Sequence, residues 1–368
     1  MLLVPPRLKA FYRVRSDARS IEARALALAV EQSVEMPVPA IDDPFVRAEI
    51  IGQVEGIAEK GSGVFEVCIG LACATIADDA GQLINMLFGN SSLQEDVVLE
   101  DVELPAALVT CFGGPRHGLD ALRERAGARS RALTCAVLKP QGLSPAKLSD
   151  LARRFASAGI DYIKDDHGLA DQPYSPFDAR VEAVANALQE IDGAATSSYA
   201  PSLSGNLDSM RKQIAVARAA GINIVLVAPM IMGWSNFSCL VRENPQIAFI
   251  AHPSMAGVAR IAPALLIGKL FRLLGADAVV FPNHGGRFGY SPDTCRALAR
   301  AALTRSDGLR PCVPVPAGGM STARVREMLE FYGADVMLLI GGALLEARAQ
   351  LERATSAFVA EVHRFAYD

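Results

Sequence analysis

From residue 121 onward, short apolar runs alternate with amphipathic stretches, and one phrase marks the switch between them. A helical stretch ends in Gly, a short polar-apolar link follows, and five or six apolar residues come next. The phrase reads Ala-Gly-Ile-Asp-Tyr-Ile at 158–163 and Ala-Gly-Ile-Asn-Ile-Val-Leu-Val at 220–227. It returns as Gly-Ala-Asp-Ala-Val-Val-Phe at 275–281 and Gly-Ala-Asp-Val-Met-Leu-Leu at 333–339. Glycine closes each helix in a left-handed cap, and the apolar runs suit strands buried on both faces. Further strands are predicted at 134–138, 195–199, 246–251 and 312–316. Helices are predicted at 145–157, 178–191, 206–219, 263–273, 293–303, 321–331 and 343–364. About eight strand–helix units in roughly 250 residues is the size of a closed (β/α)8 barrel. An open doubly wound sheet would carry a Gly-rich dinucleotide fingerprint after its first strand, and the sequence has none.

Residues 1–115 follow another order. Strand 8–14 leads to helix 18–32, two strands fall within 50–72, and helix 78–88 precedes a strand near 97–103. This predicts a smaller α+β domain, ferredoxin-like in its order, over 1–115 and a barrel over 116–368. The boundary is placed at the turn signal Gly113-Gly114-Pro115.

Active residues of such a barrel belong at the C-terminal ends of its strands. Lys139-Pro140-Gln141-Gly142 follows the first run and Lys164-Asp165-Asp166-His167 the second. His252 ends the fifth, and Phe-Pro-Asn-His-Gly-Gly-Arg (281–287) the sixth. Ala317-Gly318-Gly319 ends the seventh, and Gly341-Gly342 the eighth. Each alone reads as an ordinary loop. Their shared rim reads as a site that gathers Lys139, Lys164, the acids and histidine after the second run, His252 and the Gly-Gly turns at 318–319 and 341–342. Backbone N–H groups of the Gly-Gly turns suit a phosphate. Asp166 and His167, with an oxygen ligand nearby, suit a hard divalent cation, which would stabilise an enolate as a Lewis acid. A lysine flanked by acids is a poor base while cationic, so the site needs a means of changing its chemistry.

Composition narrows the partners. A formal charge of -4 leaves no electrostatic footprint for nucleic acid or an acidic membrane. No segment reaches the length of a membrane span, and prolines interrupt the N-terminal apolar stretch where a signal peptide needs continuity. The expected setting is the cytoplasm. The cysteines (Cys68, Cys73, Cys111, Cys135, Cys239, Cys295, Cys312) form no C-x-x-C pair and read as small reduced hydrophobes. His117 and His363 read as structural or surface residues. His284 reads as a loop polar group or a proton donor on the loop, and Trp234 as pocket wall or core.

On the rim residues the chain resembles the RuBisCO superfamily over nearly its whole length, and the RuBisCO-like (form IV) proteins in particular. The resemblance implies that Lys164 takes up carbon dioxide as a carbamate, which binds magnesium together with Asp166. His167 stands at the family's glutamate ligand; imidazole removes a negative charge and favours softer ions. Lys139 matches a lysine acting on substrate protons, with Gln141-Gly142 in place of its usual second lysine. His252 matches the strand-five histidine, and Arg287 lies where the mobile loop carries its lysine. Asn90 and Glu31 match residues that the small domain lends to a neighbouring subunit, which implies a homodimer with shared active sites.

The resemblance also implies which anion site survives. Gly318, Gly319, Gly341 and Gly342 retain one phosphate site, with Arg287 beside it. At the other, Pro253, Val280 and Ala317 replace arginine, histidine and serine. Burying a phosphate there would cost at least several kcal/mol, whereas an apolar group would gain. The implied substrate carries one phosphate at C1 and an apolar group at C5, as 5-methylthioribulose 1-phosphate of methionine salvage does. The expected activity is isomerisation by metal-assisted enolisation and proton transfer, and not carboxylation of ribulose bisphosphate. Alternatives are enolisation of a 2,3-diketo-5-methylthiopentyl 1-phosphate, decarboxylation of an oxo-sugar-acid phosphate, and a non-catalytic metabolite-binding role.

Overall fold

The computed structural model describes residues 6–191, 197–305 and 308–367. They form two units, Met1–Gly113 with Met255–Leu266, and Gly114–Ser254 with Ile267–Asp368.

In the first unit, strands β1 (Arg7–Arg15), β2 (Gln53–Gly61), β3 (Val64–Ala72) and β4 (Val97–Glu103) make an antiparallel sheet in the order β2-β3-β1-β4. Strict alternation along β1 buries Leu8, Ala10, Tyr12 and Val14 completely. Tyr12 donates its hydroxyl to the Leu87 carbonyl at 2.6 Å, which ties this face to helix Ala80–Phe88. The segment 255–266 joins this unit because Leu99 bridges to Ile261, with Leu99 N–H on the Arg260 carbonyl at 3.0 Å. In place of the regular helix expected over 263–273 stand a π-helix, Ala264–Leu270, and a short α-helix, Phe271–Leu273. The unit boundary falls inside it.

The second unit holds eight parallel strands among its described residues. They are β5 (Leu133–Leu138), β6 (Tyr162–Asp165), β7 (Ser198–Ala200), β8 (Ile224–Val227), β9 (Ala248–Ala251), β10 (Ala278–Pro282), β11 (Val313–Ala317) and β12 (Met337–Ile340). Two four-stranded sheets, β12-β5-β6-β7 and β8-β9-β10-β11, make up the barrel wall. The seam between β7 and β8 is closed by Leu226, whose N–H donates to Pro201 at 2.8 Å and whose carbonyl accepts from Leu203 at 2.9 Å. β11 and β12 lie side by side at the other seam. Alternate residues fill the interior, among them Cys135, Val137, Tyr162, Ile250, Val280 and Val315. Of the strand expected at 195–199, positions 195 and 196 lie outside the described residues. The helix expected over 343–364 is broken into Gly342–Leu345, a 3₁₀ turn at Arg348–Gln350, and Leu351–Arg364.

The polar residue of the repeated phrase has a structural use. The capping glycines Gly159, Gly221, Gly275 and Gly333 all have positive φ, and the next turn of chain aims an Asp or Asn across the N-terminal end of the barrel. Asp161 accepts both Arg131 Nη1 and Nη2 at 2.7 Å and the Thr134 N–H at 2.8 Å. Asp277 accepts the N–H groups of His117, Gly118 and Phe249 at 2.7–2.9 Å. Asp335 pairs with Arg123 at 2.6 Å, and Asn223 accepts from Arg125 at 3.3 Å. The segment 117–131 is thereby laced under the barrel, and His117 belongs to this lacing.

Asp161→Ala leaves Arg131 without its carboxylate where both side chains are largely buried, so urea unfolding should show a loss of about 3–5 kcal/mol. A loss under about 1 kcal/mol would mean that the pair behaves as a surface contact.

Candidate active site

Side chains alternate along β6, and this alternation assembles the site. Tyr162 belongs to the interior cluster, so Lys164 and then Asp166 face inward while Ile163 and Asp165 face the helices. Asp165 is fully buried and accepts from Arg180 Nε at 3.0 Å, Tyr199 hydroxyl at 2.7 Å and Ser202 N–H at 3.0 Å. Of the two acids expected on the rim, only Asp166 is there. Asp165 is part of the barrel wall, and neither it nor Arg180 was legible as a clamp from sequence alone.

Lys164 is 3% exposed and donates its Nζ to the Asp165 carbonyl at 2.8 Å. Burial holds its ammonium below the usual lysine range. Lys139 Nζ lies 3.1 Å from Asp166 Oδ1, and His167 Nδ1 lies 3.5 Å from the same oxygen. Burial works against the Asp166 carboxylate, but the His167 contact and the Lys139 charge outweigh it and keep it ionised well below the usual carboxylate range. The His252 ring stacks on His167 with centroids 4.1 Å apart and planes 9° from parallel, and its Nδ1 meets Ser254 Oγ at 2.7 Å. Burial first, then the Lys164 and His167 charges, push His252 down to about 2. It is a neutral imidazole at physiological pH. Gln141 folds over the same turn, its Nε2 standing close to where a Gly168 side chain would begin.

A divalent cation finds two donors here, Asp166 and His167, and no group of three His, Cys, Asp or Glu able to hold a metal occurs among the described residues. A third donor would have to come from a residue outside those types, and the buried Lys164 amine, which could supply one as a carbamate, stands two residues before Asp166 on the same inward face.

The glycine turns separate into two kinds. None of the N–H groups of Gly318, Gly319, Gly341 or Gly342 donates among the described hydrogen bonds. Gly318 and Gly319 have φ of 84° and 103°, and a Cβ on Gly319 would stand 2.9 Å from Arg287 N and 3.1 Å from Gly286 Cα. A Cβ on Gly342 would meet nothing within 4 Å. Arg287 is exposed; its N–H donates to the Gly318 carbonyl at 2.8 Å, while its guanidinium lies 5.5 Å from the Phe288 ring. The structure thus brings the Arg287 backbone onto the Gly318–Gly319 turn.

Pro253 is half-buried, while Val280 (3% exposed) and Ala317 (9%) belong to the interior cluster. Val280 pairs in register with Val315, one layer below the rim. Pro282, register partner of Ala317, is the rim residue on β10. The period-two step 278, 280, 282 carried that signal. His284 turns away from the mouth, with its ring 4.6 Å from Phe331. Trp234 packs on Phe271 at 5.5 Å. In the first unit, the exposed Asn90 donates its amide to Glu31 at 3.0 Å and to Glu35 at 2.7 Å. Glu35, in the left-handed region at φ 53°, was not legible from sequence.

A buried lysine and an ionised aspartate at the end of the second strand, with glycine turns after the last two, place the polar groups of this parallel barrel at the C-terminal ends of its strands. Residues 118–349 match the family described as ribulose bisphosphate carboxylase large chain, catalytic domain. The chain is 60% identical over 97% of its length to the 5-methylthioribulose-1-phosphate isomerase of Rhodospirillum rubrum, of which it covers 96%. It is 54% identical over 95% of its length to ribulose bisphosphate carboxylase-like protein 1 of Rhodopseudomonas palustris, again covering 96%. The crystal structure of a Rubisco-like protein from Rhodopseudomonas palustris superposes with a TM-score of 0.92 at 53% identity, covering 99% of both chains. The chain belongs to the RuBisCO-like protein family.

The two kinds of glycine should respond differently to substitution. Gly319→Ala forces a Cβ into positive φ against backbone and should lower stability by roughly 1–3 kcal/mol, whereas Gly342→Ala should leave thermal unfolding unchanged. Equal melting shifts for the two variants would contradict the turn geometry.

Proposed function

We propose that this protein is an isomerase of a 5-methylthio-pentulose 1-phosphate, acting by enolisation and proton transfer. One observation carries the reading: anion donors are free at the β11 and β12 turns, while Pro282, Val280 and Ala317 make the adjacent strand ends apolar. A monophosphate with an apolar far end is the substrate that leaves no buried charge unpaired. The Rhodospirillum rubrum relative, 60% identical, supports it by name.

The residues divide the work. Lys164, as its carbamate, would hold magnesium or another divalent ion with Asp166 and His167. When bound, the metal would supply Lewis-acid stabilisation of an enolate. Lys139, half-exposed beside Asp166, is the group positioned to take and return a substrate proton. His252, neutral and half-buried, accepts or donates a hydrogen bond without adding charge. Gly318, Gly319, Gly341 and Gly342 would seat the phosphate, with Arg287 as the loop's cation. Asn90, with Glu31 and Glu35, would complete the site of a second copy in a homodimer. The cysteines are free, as suits a reducing cytoplasm, and no helix among the described residues is long and apolar enough to cross a membrane.

Incubation with 5-methylthioribulose 1-phosphate, magnesium and bicarbonate in heavy water tests this by NMR. The expected result is a new ketose phosphate carrying deuterium, formed about 10²–10⁴-fold more slowly by Lys139→Met. Substrate recovered unlabelled and unconverted would refute the assignment, and conversion of only a 2,3-diketo-5-methylthiopentyl 1-phosphate would move it to the enolase.

A further inference from the structure

The loop after β10 carries Arg287, and its path is set by a residue outside the site. Arg324 ends the 3₁₀ turn Thr322–Arg324 that follows β11. Its Nη1 donates to the His284 carbonyl at 3.0 Å. Its Nε and Nη2 are held by both oxygens of Glu327, at 2.9 and 2.7 Å. A Cβ on Gly285 would stand 3.0–3.2 Å from this guanidinium, so the loop backbone lies flat against it. Beyond that point Arg287 N–H reaches the Gly318 carbonyl, and the Phe288 ring lies where a Gly318 side chain would stand, 2.8 Å from that Cβ position. At the loop's start, Asn283 N–H extends the ladder to the Ala317 carbonyl at 2.8 Å, and its amide oxygen accepts from Tyr332 at 2.7 Å.

The two ends of this path differ in strength. Asn283 is buried and tied by side chain and backbone. Residues 285, 287, 288 and 289 are exposed, and they rest on the β11 turn through one backbone hydrogen bond, the close approach of Arg287 to Gly319 and one ring laid on Gly318. A guanidinium fixed by a bidentate carboxylate loses little freedom when it adds a carbonyl. That carbonyl sits between the strong end and the weak one. We infer that Arg324, oriented by Glu327, is a positioning residue that holds the loop 283–288 over the Gly318–Gly319 turn and so sets where Arg287 and Phe288 stand.

The inference deepens the isomerase reading, because a loop seated on the phosphate turn would shield an enolised substrate from water. Its first test does not depend on that reading. Trypsin cleavage after Arg287, read by mass spectrometry of the peptide starting at Phe288, reports loop release in the protein without substrate. Losing a charged hydrogen bond should make Arg324→Met about tenfold more readily cut there, with thermal unfolding unchanged. Arg324→Lys should recover part of the protection. Glu327→Gln, which keeps the guanidinium but frees it, should give a smaller increase and serves if Arg324→Met fails to fold. Cleavage unchanged in both Arg324→Met and Glu327→Gln would overturn the inference. With 5-methylthioribulose 1-phosphate in heavy water, Arg324→Met should lower kcat more than it raises KM and raise deuterium washed into recovered substrate per turnover. A wild type inactive on this substrate, with protection still lost in the variants, would sink the isomerase reading and leave the positioning role standing. Cleavage increased but the exchange ratio unchanged would overturn the shielding role.

Discussion

Asp165 and Arg180 meet 3.0 Å apart behind the second barrel strand, with neither side chain exposed to any extent. Two charges taken out of water are costly singly, and each is tolerable here only because the other is present. Tyr199 and the Ser202 N–H complete the carboxylate's shell, and the Ser175 carbonyl accepts Arg180 Nη1 at 2.7 Å. This cluster fixes which face of β6 is outward. Lys164 and Asp166 are then inward by the period of the strand, one on each side of the clamped residue. The clamp also sets the Asp165 carbonyl, which receives the Lys164 amine. A one-residue slip would put Asp165 into the barrel and the lysine among the helices.

From that constraint the rest of the mouth follows in order. An inward, buried lysine favours its neutral amine. An inward aspartate gathers Lys139 and His167 around one oxygen. His252 stacks on His167 and stays neutral. At the β11 and β12 turns, four N–H groups have no partner among the described hydrogen bonds, while Val280, Pro282 and Ala317 make the ends of β10 and β11 apolar. The proposed substrate is the complement of this division: one anionic end, one greasy end, and an acidic carbon between them near the lysines.

Much of this was legible along the chain, for physical reasons. Strand 97–103 and helix 145–157 begin and end as the pattern predicts, because their apolar periodicity and terminal signals agree. The rim residues 139, 164, 166 and 252 were legible because a parallel barrel puts every strand's end on one face. Other features required coordinates. The stretch 263–273 has a helical pattern, but just after the bridge of Ile261 to Leu99 it forms a π-helix over 264–270. Asp165 beside Asp166 looks like a second rim acid until the strand period turns it outward. Val280 matches a rim position by motif yet lies a layer deeper. Arg180 and Arg324 look like surface helix arginines; only the fold shows the one buried against Asp165 and the other holding a loop carbonyl.

The central claim is that Lys164 is buried to be converted rather than merely packed. Carbon-13 NMR of the protein with labelled bicarbonate and magnesium addresses it directly. A single carbamate resonance should be present in the wild type, persist in Lys139→Met, and vanish in Lys164→Ala. A spectrum with no carbamate signal, or one that survives Lys164→Ala, would contradict the proposed site.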